Sequence, residues 1–396
     1  MSKHFRIDQA EKIFDRYLED LKTIVNIDSG SYTKVGIDNV VNYLQKRFED
    51  FGFTTRIEPV SDYGNHLVAT RQGSNPNGPR ILLIGHLDTV LADGEASRRP
   101  FTIKERDGMR VASGPGVLDM KSGVLIGLYA SHLLFESNET DFQNITFLCN
   151  SDEEIGSPSS TPLVKKLASE ADAVLVLEPG RARHTVLASR RGVAKYTLEV
   201  HGLSAHAGVA PKSGRNAILE MSYQVQAMQA LNDTIPGTTL NVGLIKGGER
   251  SNIVPDYAWC EIDVRASTVE GFEKIQAAMQ KVASHTVIDG TTIRLNGSVW
   301  HQPFEPNEQH TRLLNLTKLA GQELGIQIEG VPSGGGSDAN TTAAMGIATI
   351  DGMGAGGDHA HNPEEYIELD YLPDRIALVS GLIQQIGQYY QQGNKL

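Results

Sequence analysis

The chain has 396 residues, 40% of them hydrophobic, and a formal net charge of −12. That length predicts two domains rather than one small core, and the acidic balance argues against nucleic acid or an anionic membrane as a partner. No apolar run is long enough to span a bilayer, residues 1–28 are amphipathic without the pattern of a secretory signal, and Cys149 and Cys260 sit in apolar strand patterns as expected of buried free thiols, so a reducing, cytoplasmic setting is expected.

Apolar residues recur at helical spacing over residues 7–27 and again over 37–51, where Val40, Leu44 and Phe48 share one stripe. Strands are expected at 54–58, closed by Pro59, and at 66–70. A turn-rich connector at 73–79 leads into the short apolar strand 81–84, which ends at Gly85-His86. Residues 101–113 predict a hairpin turning at Asp107-Gly108, and 122–135 an apolar helix. The buried strand 145–149, a helix near 162–168 and the strand 173–177 follow. Strands alternating with helices predict an α/β fold with an open, mostly parallel sheet.

The pattern changes after Arg191. Strands are expected at 193–200, 238–245, 253–265 and 291–295, with helices at 216–231 and 272–283. Along 253–265, Ala258, Cys260, Ile262 and Val264 alternate with Trp259, Glu261, Asp263 and Arg265. The order β-α-β-β-α-β is that of a ferredoxin-like α+β unit. It is expected as a domain over 191–303, inserted between the first part (1–190) and the second part (304–396) of the α/β domain. Helices at 311–324 and 374–391 complete that second part.

The stretch SDEEIGS follows the strand 145–149 and carries Glu153 and Glu154. Open α/β sheets bind ligands at the carboxyl ends of their strands. Neighbouring extended residues point opposite ways, so the pair can divide roles, one carboxylate on a metal and the other moving a proton. A solvated turn is the alternative. Four further stretches place a candidate ligand past a strand or beside a glycine-rich turn. They are GHLDTV with His86 and Asp88, GPGVLDMKSG with Asp119, LEPG with Glu178, and HAHNPEEY with His359 and His361. An aspartate capping a helix is the alternative for Asp119, and a polar loop for the two histidines. Nitrogen and oxygen donors without thiolate suit zinc, with cobalt or manganese as substitutes. Two histidines and three carboxylates are too many for one four-coordinate ion, and Asp119 could bridge two ions about 3.5–4 Å apart.

The ordered set GHLDTV, GPGVLDMKSG, NSDEEIGS, LEPG, HGLSAHAG, GGGSDAN and HNPEEY resembles the M20 metallopeptidases, in their glutamate carboxypeptidase branch, over about residues 81–366. The resemblance implies a zinc-hydrolase catalytic domain with an inserted lid and dimerisation domain. It implies two zinc ions, with His86 and Glu178 on one, Glu154 and His361 on the other, and Asp119 between them. Asp88 would orient His86, Glu153 would be the general base, and the Asp119–Met120 peptide would be cis. His361, four residues before Glu365, matches the family ligand, with His359 as the alternative. A zinc-bound water can have a pKa near 7, and Glu153 would take its proton and pass it to the leaving amine. His206 would donate to the oxyanion. In dimeric relatives this histidine serves the other subunit's site, so a homodimer through the lid is expected.

Asn252 and Arg265 match positions that hold the substrate's free carboxylate, Arg265 as a bidentate clamp. Gly335 and Gly336 could approach the substrate with backbone N–H groups, a tight turn being the alternative. The expected reaction releases a C-terminal amino acid, glutamate being the candidate, from a small peptide or N-acyl amino acid. An N-acyl-amino-acid deacylase (acetylornithine deacetylase-like) and a dipeptidase are alternatives on the same fold. A non-catalytic binding protein on a hydrolase scaffold is a third.

Overall fold

The computed structural model describes residues 5–180, 182–232 and 234–396. Of the stretch read above for a secretory signal, residues 1–4 lie outside them. The chain forms two compact units, one of Met1–Ser189, Pro306–Pro332 and Ser337–Leu396, the other of Arg190–Glu305 with Ser333–Gly336.

The first unit is built on a six-stranded, mostly parallel sheet, in the order Thr54–Glu58, His66–Gln72, Asn144–Asn150, Arg80–His86, Ala173–Val176, Thr349–Ile350. His66–Gln72 runs against both its neighbours, while the last four strands are parallel. Arg80–His86 is buried from Ile81 onward. A sheet covered on both faces needs such an unbroken apolar run rather than alternation. Register sets His86 opposite Asn150 and Ile84 opposite Val176. Three adjacent strands therefore end together, and the polar residues that follow them gather at one edge.

The helix Ser122–Glu136 is apolar on nearly every side and buried along almost its whole length. Its start lies directly on the end of a strand. A Cβ on Gly123 would fall 2.0 Å from the Leu177 carbonyl oxygen, so only glycine fits. This contact holds the segment before the helix, which carries Asp119, beside the strand that leads to Glu178. A second sheet joins Gly357–Asp358, Tyr366–Glu368, Met109–Ser113 and Thr102–Arg106, in that order. The expected hairpin turns at Asp107 (φ 53°) and Gly108 (φ 78°). One loop of this sheet carries His359 and His361, and Met109–Ser113 leads into Asp119.

The second unit is ferredoxin-like, as the sequence predicts. Its antiparallel sheet has the order Thr238–Gly247, Tyr257–Ala266, Gly192–His201, Thr292–His301. Helices Ala217–Gln229 and Val269–Ala283 share a core with Leu198, Cys260 and Ile262 through Met221 and Ile275. Ala258, Cys260, Ile262 and Val264 are all buried, matching the alternation.

Two expected elements are broken. The helix over 7–27 is Phe5–Lys12 and Phe14–Val25, interrupted at Ile13 (φ −98°, ψ 0°). The strand over 253–265 is Ile253–Val254 and Tyr257–Ala266. Pro255 lacks the N–H a ladder needs, and the short piece pairs instead with Ala205–His206. Both cysteines are buried and free. Among the described residues no helix is long and apolar enough to cross a membrane.

Candidate active site

His86 is the last residue of its strand, Glu178 follows the strand Ala173–Val176, and Glu153 and Glu154 follow Asn144–Asn150. The backbone at Glu153–Ile155 is a turn of 3-10 helix rather than extended. Both glutamates therefore turn to the same cluster, which corrects the expectation that they point opposite ways. Asp152 closes this turn by accepting the Ser160 hydroxyl at 2.5 Å and the Ser159 hydroxyl at 2.6 Å.

Asp119 stands at the centre. Its Oδ1 lies 3.0 Å from His86 Nε2 and its Oδ2 lies 3.2 Å from His361 Nε2. His361 Nε2 is also 3.2 Å from Glu154 Oε2. His86 Nε2 is 3.7 Å from Glu178 Oε1 and 4.0 Å from Glu153 Oε2. The Asp119–Met120 peptide is cis, as the resemblance implies. His361 has φ 64°, a left-handed conformation uncommon outside glycine. His359 shares that backbone region, and its ring lies 6.0 Å from the Tyr366 ring.

Four carboxylates face two imidazoles here, and the electrostatics follow from that imbalance. Burial, reinforced by Glu178, raises the Glu153 carboxyl well above its usual range. Burial also raises Glu154, against the pull of His361. Burial opposes charge on His86, but Asp119 and Asp88 outweigh it and raise the imidazole well above its ordinary value. Hydrogen bonds that His361 donates to Asp119 and Glu154 lift its imidazole to about 10. Burial would raise Asp119, yet His361 and His86 hold it below the usual carboxylate range.

The residues fit divalent cations. Ligand atoms of His86, Glu153 and Glu178 lie within 4.8 Å of one another, as do those of His86, Asp119 and Glu154. Glu154 Oε1 is buried and has no hydrogen-bond partner among the described residues, a costly state that a cation would relieve. The two oxygens of Asp119 face different histidines, the arrangement a bridging carboxylate requires. The donors are nitrogen and oxygen throughout, a set suited to zinc, cobalt or manganese.

The resemblance casts Asp88 as the residue that orients His86, and the structure divides that task. His86 Nδ1 lies 2.9 Å from the Asp88 main-chain carbonyl and 3.5 Å from its carboxylate. A carbonyl only accepts, so Nδ1 carries the proton and Nε2 turns to the cluster. The Asp88 carboxylate accepts the N–H groups of Glu153 at 3.1 Å and Glu154 at 3.2 Å, and the Ser31 hydroxyl at 2.7 Å.

His206, Asn252, Arg265, Gly335 and Gly336 belong to the second unit. His206 is exposed, and its Nδ1 accepts the N–H groups of Gly208 at 3.1 Å and Val209 at 3.2 Å. The loop thereby leaves the proton on Nε2, which is a hydrogen-bond donor. The Asn252 carbonyl accepts the Ala207 N–H at 3.0 Å and braces the same loop. Arg265 is held by Asp263 through two hydrogen bonds, at 2.8 and 3.0 Å. A substrate carboxylate there would share the guanidinium with Asp263. The carbonyls of Gly335 and Gly336 accept from Arg190 Nη1 at 3.1 and 3.3 Å.

Sequence reasoning missed Arg190 in that role, and it missed Asp338. The Asp338 carboxylate accepts from Asn150 Nδ2 at 2.6 Å and from the Ser157 hydroxyl at 2.7 Å, which fixes the Glu153–Glu154 turn from behind. Its signal was present in GGGSDAN, but partners nearly two hundred positions away are not readable from spacing.

The profile of peptidase family M20/M25/M40 matches residues 82–385. The chain is 30% identical over 378 residues to carboxypeptidase G2 of Pseudomonas sp. (strain RS-16), covering 93% of this chain and 89% of that one. It is 25% identical over 395 residues to acetylornithine deacetylase of Klebsiella pneumoniae (strain 342), covering 93% and 97%. The fold matches that of aminopeptidase PepT from Bacillus cereus ATCC 10987 with a TM-score of 0.79 at 24% identity, covering 94% of this chain and 98% of that one.

Proposed function

The chain belongs to the M20/M25/M40 peptidase family and is a hydrolytic enzyme, and from that premise we propose that it cleaves an amide bond with two divalent ions, releasing a C-terminal amino acid from a small peptide or N-acyl amino acid. The observation that carries this reading is Asp119, whose two oxygens face His86 and His361 separately. His86 and Glu178 would hold one ion, Glu154 and His361 the other, and Asp119 both. Zinc is the first candidate for the ions, with cobalt or manganese as substitutes.

Bound ions would polarise the scissile carbonyl and make a water acidic near neutral pH. The chain's own residues do the rest. Glu153 lies within reach of the donors, its Oε2 4.0 Å from His86 Nε2, and is assigned to proton transfer rather than to the ligand set. It accepts the proton of the attacking water and delivers it to the departing amine. Asp88 holds the Glu153 and Glu154 N–H groups, so base and ligand keep a fixed offset. His206 of the partner subunit, with its Nε2–H free to donate, stabilises the oxyanion. Arg265 and Asn252 are the candidates for binding the substrate's free carboxylate, and Gly335 and Gly336 for offering it backbone N–H groups.

Release of a C-terminal amino acid is favoured by the 30% identity to carboxypeptidase G2, and glutamate is the candidate that the sequence resemblance implies. The acetylornithine deacetylase likeness keeps an N-acyl-amino-acid deacylase as the second reading. A scaffold reduced to binding is disfavoured, because Glu153 and the full donor set are retained. The homodimer is supported by an edge strand of the second unit. Thr238–Gly247 ends the sheet, and Leu244 and Ile245 are 52% and 56% exposed on its opposite faces. Ile218, Leu219 and Tyr223 of the helix Ala217–Gln229 are exposed as well. An open apolar edge of this kind is a pairing surface. The test is metal analysis of the purified protein with a panel of folate-glutamates, N-acyl amino acids and dipeptides. Turnover of free-amine dipeptides alone would overturn the carboxypeptidase reading.

A further inference from the structure

Glu365 is 2% exposed, and the proposed chemistry gives it no task. Its Oε1 accepts the N–H groups of Leu118 at 2.7 Å and Asp119 at 3.0 Å, and its Oε2 accepts the N–H of Gly116 at 3.0 Å. Those N–H groups need an outside acceptor. Asp119 (φ −114°, ψ 97°) and Met120 (φ −132°, ψ 36°) are non-helical, so the segment cannot satisfy its backbone in the manner of a regular helix. Gly116 has φ 69°, and a Cβ there would fall 2.6 Å from Thr89 Cγ2, so the turn is tightly confined as well.

The sheet explains why one side chain reaches all three groups. Tyr366, next to Glu365, pairs with Ser113, and the strand ending at Ser113 leads within three residues, through a turn, to Gly116. Glu365 also closes the loop that bears His361. It lies four residues beyond that histidine, and its N–H donates to the Asn362 carbonyl at 3.0 Å. One residue thus touches the backbone of two separate loops, each carrying a proposed metal ligand.

We infer that Glu365 is a positioning residue whose carboxylate locks the segment 116–119 to the His361 loop, so that each oxygen of Asp119 faces its own histidine. This rests on the reading of Asp119 and His361 as metal ligands. No other common side chain does the same work. A glutamine turns an NH₂ donor toward at least one of the three N–H groups. An aspartate keeps both oxygens but is one methylene short.

The experiment compares wild type, Glu365→Gln, Glu365→Asp and Asp119→Asn, each checked for folding by circular dichroism. Cobalt(II) alone is the probe, read by calorimetry and by its visible absorption. Steady-state kinetics at saturating metal follow, on the substrate the wild type turns over. Loss of an outer partner of a metal ligand typically costs about 10–100-fold in metal affinity or activity. Glu365→Gln is expected to bind cobalt(II) about 10–100-fold more weakly, with an altered absorption band and a lower kcat at a KM within about twofold. Glu365→Asp is expected to fall between it and wild type. A merely structural glutamate would lower the melting temperature and leave the cobalt(II) spectrum and kcat per folded molecule unchanged.

If Glu365→Gln folds and matches wild type in affinity, spectrum and kcat while Asp119→Asn loses cobalt(II), the inference fails and the metal reading stands. If wild type binds no cobalt(II), both fail. If Glu365→Gln does not fold, Glu365→Asp makes the same comparison. If neither folds, the residue is a folding determinant and the inference is overturned.

Discussion

The Asp88 carboxylate accepts the main-chain N–H of Glu153 at 3.1 Å. The strand that ends in His86 therefore sets the height of the neighbouring strand's turn, which carries the proposed base. Asp88→Asn keeps the size but turns a donor toward the Glu153 or Glu154 N–H or the Ser31 hydroxyl. It is expected to lower kcat/KM by about 10–100-fold. Steady-state kinetics at saturating metal checks this, and an unchanged kcat/KM would remove Asp88 from the positioning role.

Glu153→Gln removes the proposed base while keeping its volume. General acid–base groups typically contribute about 10²–10⁴-fold, so kcat is expected to fall by at least about 100-fold. Metal content should stay at the wild-type level, since His86, Asp119, Glu154, Glu178 and His361 remain. Atomic absorption on the purified variant, beside its kinetics, separates loss of the base from loss of the ions.

A different result is expected at Asp20. It is 1% exposed and accepts from the Tyr43 hydroxyl at 2.6 Å, the Tyr129 hydroxyl at 2.7 Å and Arg47 Nη2 at 2.7 Å. These partners come from two further helices, so Asp20 ties three helices of the first unit together. Asp20→Ala leaves Arg47 with Asp50 alone, at 3.1 Å, and strands the buried Tyr129 hydroxyl, at a cost of about 1–3 kcal/mol. The urea midpoint should fall while kcat per folded molecule does not change.

The parts of this architecture that were legible in sequence share a local cause. The unbroken run at 81–84 and the alternation from Ala258 to Val264 each follow from how many faces of a strand are buried. The strand-end positions of His86 and Glu178 follow from those runs. What escaped was set by partners distant in the chain. Spacing alone could not show that Glu153 and Glu154 turn the same way, because the 3-10 turn is held by Asp152, Asp88 and Asp338 together. The break at Pro255 was readable in principle, since its missing N–H stood inside the strand assigned to 253–265.

The thiols offer a test of burial. Burial pushes the Cys149 thiol up to about 12 and the Cys260 thiol up to about 11. The thiolate is the reactive form, so at pH 8 only about one thiol in a thousand or fewer is ionised in the native protein. Ellman's reagent is expected to titrate neither cysteine until denaturant is added, and then both. Because the working pH lies far below both values, each pH unit raises the thiolate fraction about tenfold, so any residual native-state reaction should climb steeply with pH while staying far slower than that of the denatured chain.

The exposed edge of the second unit yields the last prediction. Leu244 and Ile245 point to opposite faces of the end strand, yet both are exposed. Burying the remaining exposed half of each side chain in a dimer would contribute about 1–1.5 kcal/mol apiece. Ile245→Asp replaces that gain with a charge that would have to be desolvated, so light scattering should show a shift from dimer to monomer. Activity should fall with it if His206 serves the other subunit's site. His206→Ala should then lower kcat far more than it raises KM, because an oxyanion contact forms mainly in the transition state. Mixing His206→Ala with Glu153→Gln gives the decisive comparison. Each variant alone is nearly inactive, but a mixed dimer contains one site with both an intact Glu153 and an intact partner histidine. Exchange of subunits should restore part of the wild-type rate, up to about one quarter for equal, random mixing at full exchange. A fully active monomer, or a mixture no more active than its components, would count against donation between subunits.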